Sequence, residues 1–160
     1  MRIVGIDPGL EGAIACLDSV ETGAFVVDMP VRAFEKETWI DFPRLVLVIK
    51  AYDPKLIVIE RLQGQPTFGS RNFKLGCSYG AVLNAAEYLA VPLLLVKPQT
   101  WKKALLEGTD KSKEAAVGFI QNLYPNLDLF PSGIRKGKPK PSHDRAEAVC
   151  LALYGRKFHE

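Results

Sequence analysis

The chain has 160 residues, 48% of them hydrophobic and 24% charged, which fits one globular domain over 1–160 with its own core and one active site. No apolar run approaches the roughly 18 residues that a membrane span needs, and an acid and a proline at Asp7-Pro8 spoil any secretory leader. The net charge of +3 is concentrated in Lys97, Lys102, Lys103, Lys111 and Lys113 and in Arg135, Lys136, Lys138 and Lys140; this suits either a polyanionic partner or a solvated basic loop.

Residues 3–7, 13–17 and 25–28 are short β-type segments separated by turn residues, which predicts three strands joined by hairpins. Residues 39–52 carry Trp39, Phe42, Val46 and Ile49 at near-helical spacing and predict a helix. The β-branched run 56–59, introduced by Asp53-Pro54, predicts a strand buried on both faces and ending on Glu60. A loop at 63–69 leads to a long helix over 70–89, and 92–96 forms another buried strand. Pro98 suits the first turn of a helix through 106, and Thr109 or Asp110 the cap of another through 123. Residues 125–141, with four prolines and two glycines, predict a loop, and Ser142 or His143 opens the last helix. Hairpins followed by strand-helix alternation give an α/β fold with a mixed sheet. Cys16, Cys77 and Cys150 are far apart and lack C-x-x-C spacing, so the expected compartment is a reducing cytoplasm.

Four acids carry the chemistry. Asp7 and Glu60 each end an apolar strand, and neighbouring parallel strands about 4.8 Å apart would present both at the C-terminal edge of the sheet. Asp144 and Glu147 stand three residues apart on one face of the last helix, although acids at an exposed helix N-terminus are also favoured by the dipole alone. Crowded carboxylates repel unless cations lie among them, and hard oxygen ligands suit Mg²⁺ or Mn²⁺, whose pairs cut phosphodiesters.

Ile6-Asp7-Pro8-Gly9, Ile59-Glu60 and Asp144-x-x-Glu147 resemble, in order and spacing, the three acidic motifs of the RuvC-type Holliday junction resolvases. Lys74-Leu75-Gly76 with Gly80 adds to the likeness. Glu60-Arg61-Leu62-Gln63 and the string from His143 to Ala148 look closer to phage-type and plant chloroplast relatives. The resemblance implies a ribonuclease H-like fold with a five-stranded mixed sheet flanked by helices. It also implies a homodimer that resolves four-way DNA junctions by symmetric paired nicking, leaving 5′-phosphate and 3′-hydroxyl ends. Asp7 would bridge two Mg²⁺ or Mn²⁺ ions, Glu60 would hold one, and Asp144 with Glu147 the other. His143 is the alternative ligand to Asp144, because some relatives have histidine there.

Lys102 and Lys111 match two basic positions that the family uses near the scissile phosphate. Arg71 and Lys74 are further DNA-binding candidates. Where the family has a junction-wedging phenylalanine this chain has Gln63, and the candidates to substitute for it are Phe68, Arg61 and Phe73. The last acid is Glu where Asp is usual, which lengthens its reach. The location implied is a nucleoid or an infected host cell, with an organelle as the alternative. Competing readings are a ribonuclease H-like nuclease of flap DNA or RNA-DNA hybrids, and a nucleic-acid-binding module without catalysis. Actin-like kinases begin with a similar strand and turn, but they need two such domains.

Overall fold

The computed structural model describes residues 1–18, 23–62, 69–132 and 140–159, without the side chains of Ser70, Arg71 and His159. β1 (Ile3–Asp7), β2 (Ala13–Leu17) and β3 (Ala24–Asp28) form an antiparallel meander, and β6 (Leu56–Glu60) and β7 (Leu93–Val96) extend it on the other side of β1 in parallel. The sheet has five strands in the order β3-β2-β1-β6-β7, with mixed direction as the sequence predicts.

Between β3 and β6 lie β4 (Val31–Phe34), β5 (Glu37–Ile40) and α1 (Phe42–Tyr52). The expected helix over 39–52 therefore starts too early. Trp39 belongs to β5, where it pairs with Arg32 of β4. The boundary is set by Asp41, whose carboxylate accepts from the Arg44 backbone N–H at 3.2 Å, and by Pro43 in the first turn.

The remaining helices are α2 (Ser70–Tyr88), α3 (Pro98–Leu105), α4 (Lys113–Leu123) and α5 (His143–His159). α4 also departs from expectation, because Ser112 is its cap: the Ser112 hydroxyl accepts from Ala115 N–H at 3.1 Å. Thr109 and Asp110 instead close turns before it, through Lys111 N to Thr109 Oγ1 (3.1 Å) and Ser112 N to Asp110 Oδ1 (3.0 Å). Lys111 has φ of 57°, a left-handed geometry that no helix can run through.

Strand alternation sorts the sheet's two faces. Val4, Ile6, Ile14, Cys16, Ile57 and Ile59 face one apolar cluster with Leu45 and Ile49 of α1 and Val82, Ala85 and Ala86 of α2. Ile3, Ala13, Ala15, Leu56 and Val58 face the other, with Trp101 of α3, Ala116 and Ile120 of α4, and the alanines of α5. By the same period of two, Gly5, Asp7 and Glu60 belong to the α5 face. Small residues let α5 lie close there: a methyl on Gly5 would overlap the Ala148 carbonyl oxygen and the Ala152 nitrogen. No helix among the described residues is long and apolar enough to cross a membrane.

Candidate active site

β1 and β6 run in register from Ile3 opposite Leu56 to Ile6 opposite Ile59. The next residues, Asp7 and Glu60, leave the sheet side by side at its C-terminal edge, where open α/β folds place their ligands. α5 packs across β1, β2 and β6 with its N-terminal turn at that edge. One ligand oxygen each from Asp7, Asp144 and Glu147 thus falls within 4.8 Å of the others.

The electrostatics follow from this crowding. Burial, then the charges of Asp144, Glu147 and Glu60, push the Asp7 carboxyl from 3.8 up to about 8. Burial also raises Asp144, opposed by Lys113. Among the described residues, Glu147 Oε1 is buried without a hydrogen-bond partner. Lys102 Nζ lies 2.8 Å from it as an ion-pair contact, outside hydrogen-bond geometry. Hard oxygens that repel one another, one of them buried with an ion-pair contact but no hydrogen bond among the described residues, fit a divalent cation of the Mg²⁺ or Mn²⁺ type.

Glu60 stands outside the trio. Its Oε2 accepts the indole N–H of Trp101 at 2.8 Å, and burial raises its carboxyl while that bond opposes the rise. Of the two candidates at the start of α5, Asp144 joins the trio, whereas His143 Nε2 lies 3.6 Å from Glu114 Oε1 of α4. Asp144→Asn is therefore expected to weaken Mn²⁺ binding at least tenfold, and His143→Ala to leave it within about twofold. Calorimetric titration checks this, and the reverse order would move the ligand role to His143.

The N-terminal turn of α5 is fixed by Arg145, which stands between the two acids of the helix. Its buried guanidinium donates to Asp28 Oδ1 at 2.6 Å, to the Asp128 carbonyl at 3.1 Å and to Ser132 Oγ at 3.1 Å. Asp28 Oδ2 in turn accepts from Ser132 N–H at 2.6 Å. The clamp ties α5 to the end of β3.

The basic candidates separate. Lys102 is at the acids, whereas Lys111 lines a groove with Thr100, Lys103, Tyr154 and Lys157. Lys113, which the sequence offers only as part of a basic segment, is the lysine whose charge acts on both Asp144 and Glu60. Lys74 pairs with Glu37 at 3.1 Å beside the Gly9 to Glu11 turn. Arg61 is exposed just past Glu60, and Phe73 is 67% exposed in the first turn of α2. Phe68 and Gln63 lie outside the described residues, as does the side chain of Arg71.

No protein-family model matches the chain. It is 26% identical to the crossover junction endodeoxyribonuclease RuvC of Thermus thermophilus, over 96% of this chain and 92% of that one. RuvC from a second T. thermophilus strain matches equally. Among solved structures, T. thermophilus RuvC in complex with a Holliday junction substrate superposes with a TM-score of 0.64 at 23% identity, covering 99% of this chain and 96% of that one. The yeast mitochondrial Holliday junction resolvase gives 0.51 at 16% identity, over 94% and 75%. The likeness read from the acidic motifs is borne out, and so is the expected ribonuclease H-like architecture.

Proposed function

We propose that the chain resolves four-way DNA junctions by hydrolysing phosphodiesters in symmetric paired nicks, with Asp7, Glu60, Asp144 and Glu147 as its metal-binding acids. The observation that carries this is the convergence of Asp7, Asp144 and Glu147 beside the exit of β6, in a chain whose likeness to RuvC runs nearly end to end.

Two Mg²⁺ or Mn²⁺ ions held by these acids would activate water and stabilise both the attacking and the departing oxygen, leaving 5′-phosphate and 3′-hydroxyl ends. The protein's own part is positional. β1 and β6 fix two acids at one sheet edge, α5 brings two more over it, and the Arg145 clamp keeps that helix turn in place. Lys102 and Lys113 supply positive charge where a phosphate must approach an acidic site, while Lys103 of α3, Lys111 of the turn before α4 and Lys157 of α5 line a neighbouring groove. Arg61, just past β6, and Lys74, near the start of α2, would meet the branch point, with Phe68 and Arg71 kept as candidates from the sequence alone. Phe73, exposed in the first turn of α2, suits the wedge.

One site of this size cuts one strand, whereas a junction has twofold symmetry that a C2 homodimer matches with two sites. α2, which leaves Tyr88 exposed at its C-terminal end, is the helix through which a second copy would pair.

The test is a supercoiled cruciform plasmid with Mg²⁺, read for linear product, together with the mass of the protein in solution. Linearisation by a dimer is expected. A monomer that leaves the cruciform intact but cuts flaps or RNA-DNA hybrids would replace the resolvase reading with a general nuclease. Cleavage of none of these would leave a binding module. The basic residues have their own expected result: Lys102→Ala and Lys113→Ala should each lower the slope of log junction affinity against log salt by about one unit for each phosphate that the lysine neutralises. An unchanged slope would separate that lysine from the DNA.

A further inference from the structure

We propose that Trp101 is a positioning residue for Glu60: its indole N–H fixes one carboxylate oxygen and so presents the other to a divalent cation. The proposal rests on the metal-nuclease reading and deepens it. β7 pairs with β6 so that Val96 stands opposite Glu60. The chain then turns into α3 with Pro98 in its first turn, which carries Trp101 back over the exit of β6. The Trp101 side chain is fully buried, in a cluster with Val96, Leu106, Ala116 and Ile120. Packing therefore sets the direction of its N–H, whatever Glu60 does.

An indole offers one donor and no acceptor, so Trp101 can hold a carboxylate but cannot compete with it for a cation. Glu60 is the acid that needs such help. It stands outside the trio that already converges, and its three side-chain torsions must be ordered before it can join. The 2.8 Å bond from Trp101 Nε1 to Glu60 Oε2 orders them beforehand and leaves Oε1 as the oxygen not used by the indole. The next residue, Lys102, touches Glu147 at 2.8 Å. One turn of α3 thus addresses two acids from different elements, and a shift of that turn moves both.

The experiment compares Trp101→Phe, which keeps an aromatic ring and removes the N–H, with Trp39→Phe, in β5 of the two-stranded sheet, as a control. Mn²⁺ and Ca²⁺ affinities are measured calorimetrically without DNA, and kcat and KM for junction cleavage separately. Trp101→Phe should weaken metal binding ten- to a hundredfold and lower kcat with KM for the junction unchanged. Trp39→Phe should change neither. On a Glu60→Ala background, Trp101→Phe should cost no further metal affinity, because the indole acts only through Glu60.

Metal affinity within twofold of the parent, or an equal further loss on the Glu60→Ala background, would reduce Trp101 to a packing residue. Should Trp101→Phe fail to fold, the Trp39→Phe protein has Trp101 as its sole indole. Saturating Ca²⁺ should then shift its fluorescence, and Glu60→Gln should remove the shift. Emission unmoved by Ca²⁺ would overturn the proposal. A parent chain that bound no divalent ion would instead overturn the nuclease reading on which it rests.

Discussion

Asp7→Asn is expected to lower Mg²⁺-dependent cleavage by at least about a thousandfold, and yet to give a protein that, without metal, melts higher at pH 8 than its parent. The first half follows from the position of Asp7 among Asp144, Glu147 and Glu60. Metal ions contribute several kcal/mol of transition-state stabilisation in such sites, and each ~1.4 kcal/mol is a factor of ten in rate. Single-turnover cleavage of a junction, with junction binding measured separately, checks it. A variant within tenfold of the parent rate would remove Asp7 from the metal site.

The second half comes from the Asp7 carboxyl, which burial and then the neighbouring acids push from 3.8 up to about 8. Between those two values the folded chain keeps a proton that the unfolded chain has released. Raising the pH through that window therefore favours unfolding: stability is greatest below about 4, falls through the window and levels off above 8. Each unit is worth at most ~1.4 kcal/mol, so the whole loss is on the order of several kcal/mol. Burial raises Asp144 and Glu60 in the same direction. Asn cannot titrate, so the variant should lose most of the pH slope. Mg²⁺ should restore the parent at pH 8, because a bound cation requires the ionised acid. Thermal melts in chelator at pH 5 and pH 8 measure this, and a parent equally stable at both would show that the cluster carries no such strain.

The four acids are legible in the sequence because each marks the end or the beginning of an element with a strong apolar pattern. Ile3 to Ile6 and Leu56 to Ile59 show where their strands stop, and the i, i+3 spacing on α5 fixes a shared helix face whatever the fold. Less visible is whatever depends on contacts between distant segments. β4 is exposed throughout and β5 at its first two residues, so neither shows alternation, and Trp39 and Ile40 merge into the helical pattern of α1. Lys111 and Lys113 are equivalent in a string of residues, yet a left-handed turn at Lys111 and the Ser112 cap send them in different directions. Trp101 has the pattern of an ordinary core residue, because its partner Glu60 is 41 positions away. Arg145 stands out only as part of a motif, with nothing local to indicate that Asp28, 117 positions earlier, would receive it.

Gly5→Ala is the substitution expected to damage both fold and site without touching an acid. Gly5 lies two residues before Asp7 on the face of β1 that meets α5. Its missing side chain is what lets the Ala148 carbonyl and the Ala152 nitrogen come against the strand. A methyl there meets backbone on the helix side, and backbone in a packed core cannot rotate aside. The helix must lift, at a cost of about 3 kcal/mol, the upper end of what overpacking a core costs. Glu147 and Asp144 precede Ala148 on the same helix, so lifting it widens the distance to Asp7. A displacement of about 1 Å in such a site costs on the order of a hundredfold in rate. Gly155→Ala is the matched comparison, because its added methyl would meet the side-chain tips of Val58 at 2.6 Å and Ile3 at 3.1 Å near the far end of α5. Both are β-branched and buried and so cannot easily rotate aside, but the strain falls at the end of α5 remote from the acids, so Gly155→Ala should lower the melting temperature while leaving cleavage within a few fold of the parent. Both variants are to be assayed well below their melting points, with the folded fraction taken from near-UV circular dichroism. A Gly5→Ala protein that melts and cleaves like its parent would mean that contact between α5 and β1 does not set the spacing of the acids.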